Sequence, residues 1–399
     1  MRTKITNIGS LITWDIDSDS LHTLSNIELL IEDGVISKIT ENISSAEEEI
    51  DADGALITPG FIDSHTHPIF SGNRAAEFEL RASGKSYEEI AQKGGGIISS
   101  ITAVRNASED QLFDECQERM NFFLAHGTTT IEAKSGYGLT VEDELKSLRV
   151  LKRISKSTNL DIVPTLMGAH AVPPEFATNQ ERYIDLICDE MIPAVAEEKL
   201  AQFCDVFCEV GYFTVEQSRR ILETSQHYGL IPRLHADEFI DSGAAELAAE
   251  LGAVSADHLM AVSDEGINAL AKSGVIATLL PGTTLYLGKT EYAPGRRLID
   301  AGCEVAIASD FNPGSCTIQS MPIIFTLANL YCGLTLEECF KASTINAAKA
   351  IKREKTYGLI KEGYKADLLF WEVSQLEEIP YWAGSDRLLN VMKAGELLD

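Results

Sequence analysis

Basic residues are scarce in this sequence. Its 399 residues include 33 lysines and arginines against 61 aspartates and glutamates, so the formal net charge is −28 at pH 7. A surface of this sign repels both the phosphate backbone of nucleic acids and anionic membranes. We therefore expect neither nucleic acid nor a membrane as a partner. An anionic substrate would need a local cationic contact.

Long apolar runs and paired cysteines are also missing. No stretch approaches the roughly 20 apolar residues that a membrane-spanning helix needs. Residues 1–14 lack the basic start and apolar block of a signal peptide. The eight cysteines are scattered without a Cys-x-x-Cys motif, and Cys204 and Cys208 fit a strand core better than a metal site. These absences predict reduced thiols and a cytoplasmic protein.

The middle of the chain alternates apolar strands with amphipathic helical stretches. After a first strand at 55–62, the strand candidates are 128–133, 161–168, 206–210, 232–236, 253–258, 275–280 and 305–309. Strand–helix repetition predicts parallel strands with crossover helices. Eight such units favour a closed (β/α)8 TIM barrel over an open doubly wound sheet. The absence of a Gly-x-Gly-x-x-Gly motif after the first strand agrees with that preference.

The two ends of the chain have a different character. Residues 27–31 and 35–39 are short strand candidates that flank an Asp-Gly turn, which is a hairpin signal. Near the C-terminus, residues 358–360 and 366–371 flank a turn at 361–363 in the same way. We expect residues 1–58 and 355–399 to form one small β-sandwich domain beside a barrel of residues 59–354. Two independent flaps on the barrel remain an alternative.

The first predicted barrel strand ends on two histidines, His65 and His67. Side chains two residues apart on a strand face the same side, so both imidazoles can converge on one point just past the strand's end. Neutral imidazole is a common ligand of zinc and similar metals. An isolated His-x-His is more often an ordinary polar pair. The strand ends downstream favour the metal interpretation here.

Most of the chain's eight histidines lie at predicted strand ends, where barrel enzymes carry their chemistry. Three nitrogens and one carboxylate form a sound set of ligands for Zn²⁺ or Fe, and four residues fit that count: His65, His67, His235 and Asp310. A metal-activated water is a nucleophile near neutral pH, and Asp310 can accept its proton. His258 can polarise a carbonyl or orient the water. Glu238 can contact substrate or water, or equally can hold a histidine in place.

These residues resemble the marks of the amidohydrolase superfamily. Its members carry His-x-His on the first strand of a (β/α)8 barrel, histidines on the fifth and sixth, and an aspartate on the eighth. Binuclear members have a bridging lysine at the end of the fourth strand, where this chain has Glu209. The resemblance therefore implies one Zn²⁺ or Fe ion per chain.

Longer blocks resemble the imidazolonepropionase family within that superfamily. They are residues 127–138, 167–175, 235–238, 255–258, 280–284 and 310–315. The resemblance implies hydrolysis of the cyclic amide of 4-imidazolone-5-propanoate to N-formimidoyl-L-glutamate in histidine degradation, with a metal-activated water. It also implies a homodimer.

The propanoate arm of that substrate is an anion, and Arg74 can clamp a carboxylate through its planar guanidinium. The alternative for Arg74 is a surface ion pair with Glu77. Tyr137, His170 and Glu238 can add hydrogen bonds to the substrate. Tyr87 lies near this part of the sequence, but we assign it no contact with the substrate. By resemblance, three residues hold the other end of the ligand or product: Asn312, Gly314 and Ser315.

Two other functions remain open from the sequence. A related deaminase of a heterocyclic base would use the same metal without a carboxylate clamp, and its reaction would release ammonia. A non-catalytic scaffold on the same fold would typically lose metal ligands, and all four predicted ligands are present. The metal content of the purified protein separates a scaffold from an enzyme.

Overall fold

The computed structural model describes residues 2–84 and 95–398. The strands, in chain order, are β1 (Arg2–Thr6), β2 (Ser10–Asp15), β3 (Ser20–Leu24), β4 (Glu28–Glu32), β5 (Val35–Thr40), β6 (Glu48–Asp51), β7 (Leu56–Pro59), β8 (Phe61–Asp63), β9 (Thr128–Lys134), β10 (Asp161–Ala169), β11 (Phe203–Cys208), β12 (Ile231–Ala236), β13 (Ser255–His258), β14 (Ile276–Leu279), β15 (Val305–Ile307), β16 (Leu368–Trp371), β17 (Leu388–Lys393) and β18 (Glu396–Leu398).

The helices pack mostly around the central strands. In chain order they are α1 (Ala75–Ala82), α2 (Ile97–Asn106), α3 (Glu109–Ala125), α4 (Val141–Ile154), α5 (Gln180–Leu186), α6 (Ile192–Glu198), α7 (Val215–His227), α8 (Ala244–Leu251), α9 (Asp264–Ser273), α10 (Pro281–Tyr286), α11 (Gly295–Asp300), α12 (Met321–Tyr331), α13 (Leu336–Ser343), α14 (Ile345–Ala350) and α15 (Glu378–Tyr381). A 3-10 turn covers Pro174–Phe176, and a π-helical turn at Ile187–Met191 joins α5 to α6.

Strands β8 to β15 form one parallel sheet in chain order, and each strand pairs with the next. The first and eighth strands meet just past their ends, where Thr66 bridges Phe311 and the amide of Asp310 donates to the carbonyl of His65 at 3.1 Å. These contacts bring the sheet round into a barrel. The predicted (β/α)8 fold is therefore confirmed.

The helices begin where the sequence offers capping side chains. The hydroxyl of Thr140 accepts from the amide of Asp143 at the start of α4, and Thr214 forms a capping box with Gln217 at the start of α7. Such caps satisfy amides that have no partner inside a helix. Four amphipathic runs of the sequence, at 109–124, 141–155, 215–228 and 264–272, are typical of helices, and they appear as α3, α4, α7 and α9. No helix of the described residues is both long and apolar enough to cross a bilayer.

Two further sheets are built from the ends of the chain. One has the strand order β5-β4-β1-β6, and the other has the order β18-β17-β16-β7-β2-β3. In the second sheet, β7 lies between β2 and β16, with Leu368 opposite Pro59, so both ends of the chain share it. Ile5, Leu29, Ile57 and Phe370 belong to one buried cluster that both sheets contribute to. The expected β sandwich is present, while the exact domain boundaries stay a prediction.

The single strand predicted at 55–62 is wrong in one respect, because it is two strands in different sheets. The chain passes from β7 to β8 at Gly60, whose amide donates to Asp367 of the terminal sheet, while the next amide donates to Gly127 of the barrel. A Cβ at Gly60 would stand 2.3 Å from the Thr129 hydroxyl oxygen. An unbroken apolar run hides this crossing because both strands are buried on all sides.

Lys393 on β17 joins the terminal sheet to the barrel. Its ammonium lies 2.6 Å from a carboxylate oxygen of Asp161, at the start of β10, and also forms an ion pair with Asp367. Lys393 is 7% exposed. Burial raises the pKa of Asp367, and Lys393 acts against that rise. The ion pair therefore compensates a carboxylate that has little contact with water.

We expect Lys393→Met to lower the free energy of unfolding by about 3–5 kcal/mol, because it leaves the buried Asp367 without its cation. Lys4→Met is the matched control: Lys4 lies 3.3 Å from the exposed Glu49, and such a pair contributes about 0–1 kcal/mol. Urea denaturation of the variants measures both changes. Equal losses for the two variants would show that the Lys393 pair is no stronger than an exposed one.

Candidate functional site

Three imidazoles and one carboxylate meet at the C-terminal end of the barrel. The Nε2 atoms of His65 and His67 are 3.3 Å apart, as are those of His67 and His235. Oδ1 of Asp310 lies 3.3 Å from Nε2 of His67 and 3.6 Å from Nε2 of His65. All four side chains are buried. Neutral imidazoles that face one another at this distance direct lone pairs at a common point, an arrangement suited to a cation.

Two aspartates hold the imidazoles in this orientation. Nδ1 of His65 donates to Oδ2 of Asp257 at 2.7 Å, and Nδ1 of His235 donates to Oδ1 of Asp205 at 3.0 Å. A carboxylate that accepts the Nδ1 proton leaves the Nε2 lone pair available to a metal. The sequence analysis did not identify these aspartates. Their signal was a charged residue inside a wholly buried strand, β11 for Asp205 and β13 for Asp257.

Two buried cations in turn hold the aspartates. The ammonium of Lys134 lies 2.8 Å from Oε1 of Glu132 and 2.8 Å from Oδ2 of Asp205. The guanidinium of Arg233 donates to Oδ2 of Asp257 at 3.0 Å and to the carbonyl of Ser64 at 2.7 Å.

The charges at this centre do not balance. Four carboxylates, those of Glu132, Asp205, Asp257 and Asp310, stand against two cations, those of Lys134 and Arg233, and four minus two leaves an excess of two negative charges. A divalent ion among the imidazoles would neutralise that excess. The donor set and the charge therefore both fit the metal that the sequence predicts.

Burial sets the protonation states around the centre. It lowers the pKa of His65 and His67 well below the usual range, and that of His258 to about 3, so all three rings are neutral. Burial alone would raise the pKa of Asp205, but His235 and then Lys134 hold it well below its usual value. Burial, and then Asp310, raise the pKa of Glu238 well above the usual range. The protonated form of Glu238 is therefore favoured relative to a carboxyl group in water.

A cavity of about 600 Å³ opens directly above the centre. Apart from His65, which lies beneath it, every residue that the sequence predicts for the site lines this cavity: His67, Arg74, Tyr137, His170, His235, Glu238, His258, Asp310, Asn312, Gly314 and Ser315. It also has an aromatic wall that the sequence analysis missed, formed by Phe207, Tyr212 and Phe239. Tyr87 lies outside the described residues.

Arg74 forms the ion pair with Glu77 that the sequence analysis considered less favoured, but the pair is not on the surface. Nε and Nη2 of Arg74 both donate to Oε2 of Glu77, at 2.9 and 2.6 Å, and the two side chains are only 8% and 12% exposed. Oε1 of Glu77 accepts from the amide of Gly96, just before α2. Nη1 points the other way, toward Gly314, where a Cβ would lie 2.4 Å from it. Glu77 thus orients Arg74 at the edge of the cavity.

His170 and Tyr137 stand beside the predicted ligands. The His170 ring stacks on His67, with centroids 5.1 Å apart, and lies 5.2 Å from the Tyr137 ring. Nδ1 of His170 donates to the carbonyl of Gly136 at 2.9 Å. Burial lowers the pKa of His170 well below its usual value. The neutral ring therefore offers Nε2 as a hydrogen-bond acceptor.

The Asn312 amide shapes the loop after β15. Its Nδ2 donates to the carbonyl of Asp310 at 2.7 Å and to the hydroxyl of Ser315 at 2.9 Å. Its Oδ1 accepts from the amides of Gly314 and Ser315, at 2.8 and 2.7 Å. Asn312 therefore fixes the path of the loop that lines the cavity.

Glu209 and Glu238 lie close together in the folded protein, but they contact different groups. Oε2 of Glu209 accepts from the amide of Phe239 at 2.8 Å, so Glu209 fixes the loop after β12 instead of facing the imidazoles. Glu238 lies on that loop, with Oε2 3.7 Å from Nε2 of His258. His258 and Asp310 both have positive φ, 82° and 52°. Strained backbone of this kind is common where side chains must be aimed at a site.

A barrel with this donor set at the C-terminal end of its strands defines the class of amidohydrolases. The amidohydrolase family model matches residues 56–398. Among solved structures, a 5-methylcytosine deaminase from Klebsiella pneumoniae superimposes with a TM-score of 0.76 at 19% identity, and the match covers 99% of this chain and 98% of that one. At this identity the likeness shows the fold alone.

Curated relatives identify the group of amidohydrolases to which the chain belongs. An imidazolonepropionase from Clostridium tetani (strain Massachusetts / E88) is 46% identical over 389 residues, which is 96% of this chain and 93% of that protein. Another from Geobacillus kaustophilus (strain HTA426) is 47% identical over 367 residues, which is 92% of this chain and 86% of that protein. The chain therefore belongs to the amidohydrolase family and, within it, to the imidazolonepropionases.

We expect His235→Ala to lose most of its bound metal, because one of three convergent nitrogens disappears. Asp205→Asn should retain the metal with an affinity weakened by about 10- to 100-fold, because His235 loses the anion that orients it. Metal content after gel filtration and competition with a chelator measure the two effects. His227→Ala, at an exposed position of α7, is the control. Wild-type metal content in His235→Ala would refute the ligand assignment.

Proposed function

We propose that this chain hydrolyses 4-imidazolone-5-propanoate to N-formimidoyl-L-glutamate, a step of histidine degradation. The observation that carries the proposal is the cavity itself, because one space is lined both by the imidazole and carboxylate centre and by Arg74. The centre suits attack on a cyclic amide, and the guanidinium suits the substrate's carboxylate arm. Relatives that share almost half of their residues with this chain carry the name of that activity.

The proposal includes one Zn²⁺ or Fe ion per chain, held by His65, His67, His235 and Asp310. When bound, the ion lowers the pKa of water toward about 7 and polarises the ring carbonyl. Glu209 supports a single ion, because its carboxylate is used by loop amides and bridges nothing at the centre.

The cavity residues position the substrate in this proposal. Arg74 holds the propanoate carboxylate, and Tyr137 lies close enough to His170 for both to reach one ligand. His170 accepts a hydrogen bond from a ring N–H, because its own proton is on Nδ1 and is donated to Gly136. The loop that Asn312 shapes presents Gly314 and Ser315 to the other end of the ligand or product.

Protons move between fixed carboxyl groups. As the water oxygen bonds to the ring carbonyl carbon, Asp310 accepts the water's proton, while Thr283 donates to its other oxygen at 2.5 Å. The raised pKa of Glu238 favours its protonated form, which can donate to the ring nitrogen as the carbon–nitrogen bond breaks. His258 lies against Glu238 and orients the carbonyl oxygen. Opening the ring releases no fragment, so the new carboxylate and the formimidoyl group stay on one product. The new carboxyl group returns a proton to Glu238, and the proton held by Asp310 passes to solvent.

The setting of the enzyme is also part of the proposal. We infer a cytoplasmic homodimer that acts on a small molecule and binds neither nucleic acid nor membranes. The eight cysteines are all free and buried, as suits a reducing compartment, and the charge of −28 disfavours anionic polymers.

We expect the purified protein to abolish the ultraviolet absorbance of imidazolone propanoate without releasing ammonia. Ring opening retains both nitrogens in the product, whereas the deaminase alternative would expel one as ammonia. A spectrophotometric assay and an ammonia assay on the same sample test both functions. Ammonia release from a heterocyclic base, with no loss of imidazolone absorbance, would favour the deaminase.

We expect Arg74→Ala to reduce kcat/KM for imidazolone propanoate by an amount equivalent to about 1.5–3 kcal/mol, the usual contribution of a hydrogen bond to a charged group. An imidazolone without the propanoate arm should be a poor substrate for the wild type and should be nearly indifferent to the same change. Arg74→Lys should recover only part, because an ammonium lacks the planar fork.

Comparing two substrates with two enzymes removes the structural cost of leaving Glu77 unpaired, because that cost affects both substrates equally. Only a direct contact between Arg74 and the propanoate arm makes the loss of kcat/KM specific to the substrate that carries the arm. If removing the arm and removing the guanidinium have purely additive effects, Arg74 does not bind the carboxylate.

A further inference from the structure

Two cationic side chains line the cavity among the described residues, and they differ in setting. Arg74 is nearly buried and shares its charge with Glu77. Lys289 is exposed, and no carboxylate of the described residues lies within ion-pair distance of its ammonium. Lys289 therefore places a positive charge at the opening without an ion pair to any described carboxylate.

The ammonium of Lys289 has a defined place. Its Nζ lies 4.1 Å from the centroid of the Phe239 ring, which is 42% exposed. The main chain is fixed on both sides of this contact: the amide of Lys289 donates to Thr284 in α10 at 3.1 Å, and the amide of Phe239 donates to Glu209 at 2.8 Å. A cation over an aromatic face is weakly held where water has access. The ammonium can therefore leave the ring for a better partner.

The surroundings make such a cation useful to an anionic ligand. The chain has a net charge of −28 at pH 7, counted with its histidines neutral. A carboxylate that approaches from solvent meets repulsion before it can reach Arg74. Cavities with charged linings focus the local field and change association rates by about 10- to 1,000-fold. Within the described part of the cavity lining, Lys289 is the exposed charge of the attractive sign.

We propose that Lys289 captures the carboxylate of the incoming substrate at the mouth of the cavity, before Arg74 binds it. This inference rests on the proposed function, which supplies a substrate with a carboxylate arm. A lysine suits the first contact, because its ammonium is a compact charge on a mobile stem, whereas the planar guanidinium of Arg74 suits the final one.

The test is the ionic-strength dependence of kcat/KM for imidazolone propanoate, measured with wild type, Lys289→Gln and Lys289→Glu. We expect Lys289→Gln to lose about threefold to tenfold in kcat/KM at low salt, with kcat unchanged, and Lys289→Glu to lose more. The losses should shrink at about 0.5 M salt, where the Debye length is only a few ångströms. Lys289→Arg should retain the wild-type salt response.

Matched controls separate a local contact from net charge. Lys272 is exposed in the last turn of α9, a helix that runs back toward the opposite end of the barrel, so Lys272→Gln and Lys272→Glu repeat the charge change far from the cavity. We expect them to leave the salt response as it is in the wild type. Lys289→Met retains the stem on Phe239 and should behave like Lys289→Gln if charge is the cause.

The outcomes are distinguishable. A wild type that does not open the imidazolone ring overturns the proposed function and this inference with it. A wild type that opens the ring, with the same salt response in Lys289→Gln, overturns this inference alone. An equal effect from Lys272→Gln, or an effect confined to kcat or to inhibition by product, also overturns it. The inference is supported if kcat/KM falls in a salt-dependent way only in the variants that remove the positive charge of Lys289.

Discussion

Two buried cations hold the centre of this barrel together. Lys134 pairs with Asp205, which orients His235, and Arg233 pairs with Asp257, which orients His65. Each cation offsets the charge of a buried carboxylate, and each carboxylate then fixes the proton on one imidazole. An isolated buried charge costs several kcal/mol, so the members stabilise one another only as a complete set.

The same centre joins the ends of the barrel sheet. His65 and Asp310 come from the first and eighth strands, and the amide of Asp310 donates to the carbonyl of His65. Arg233 reaches the same region through the carbonyl of Ser64. Closure of the barrel and convergence of the donors are thus one structural event. The side chains that line the cavity lie above this centre, and the Arg74–Glu77 pair there shares no residue with the buried ion pairs.

Much of this could be predicted from the sequence because barrel strands and helices differ in period, and because the ends of parallel strands meet at one edge. His235 and Asp310 were predicted in this way, because each lies at the end of a predicted strand. The break at Gly60 is not, because buried strands give continuous apolar runs. Asp205 and Asp257 were missed because a strand pattern does not reveal which interior charges will pair. Lys289 was missed because it follows a short helix, and only the folded chain brings it to Phe239.

The cluster of three imidazoles and Asp310 does not by itself identify a substrate. A deaminase of the same barrel fold acts on a heterocyclic base, so the selection must come from side chains around the cavity. In a chain of net charge −28, attraction for an anion has to be local, and among the described residues the cationic side chains that line the cavity are Arg74 and Lys289. Glu77 orients the guanidinium of Arg74 but also offsets its positive charge. We therefore expect Lys289, which forms no ion pair within the described part of the chain, to contribute most where Arg74 contributes least, at the distance from which a substrate approaches.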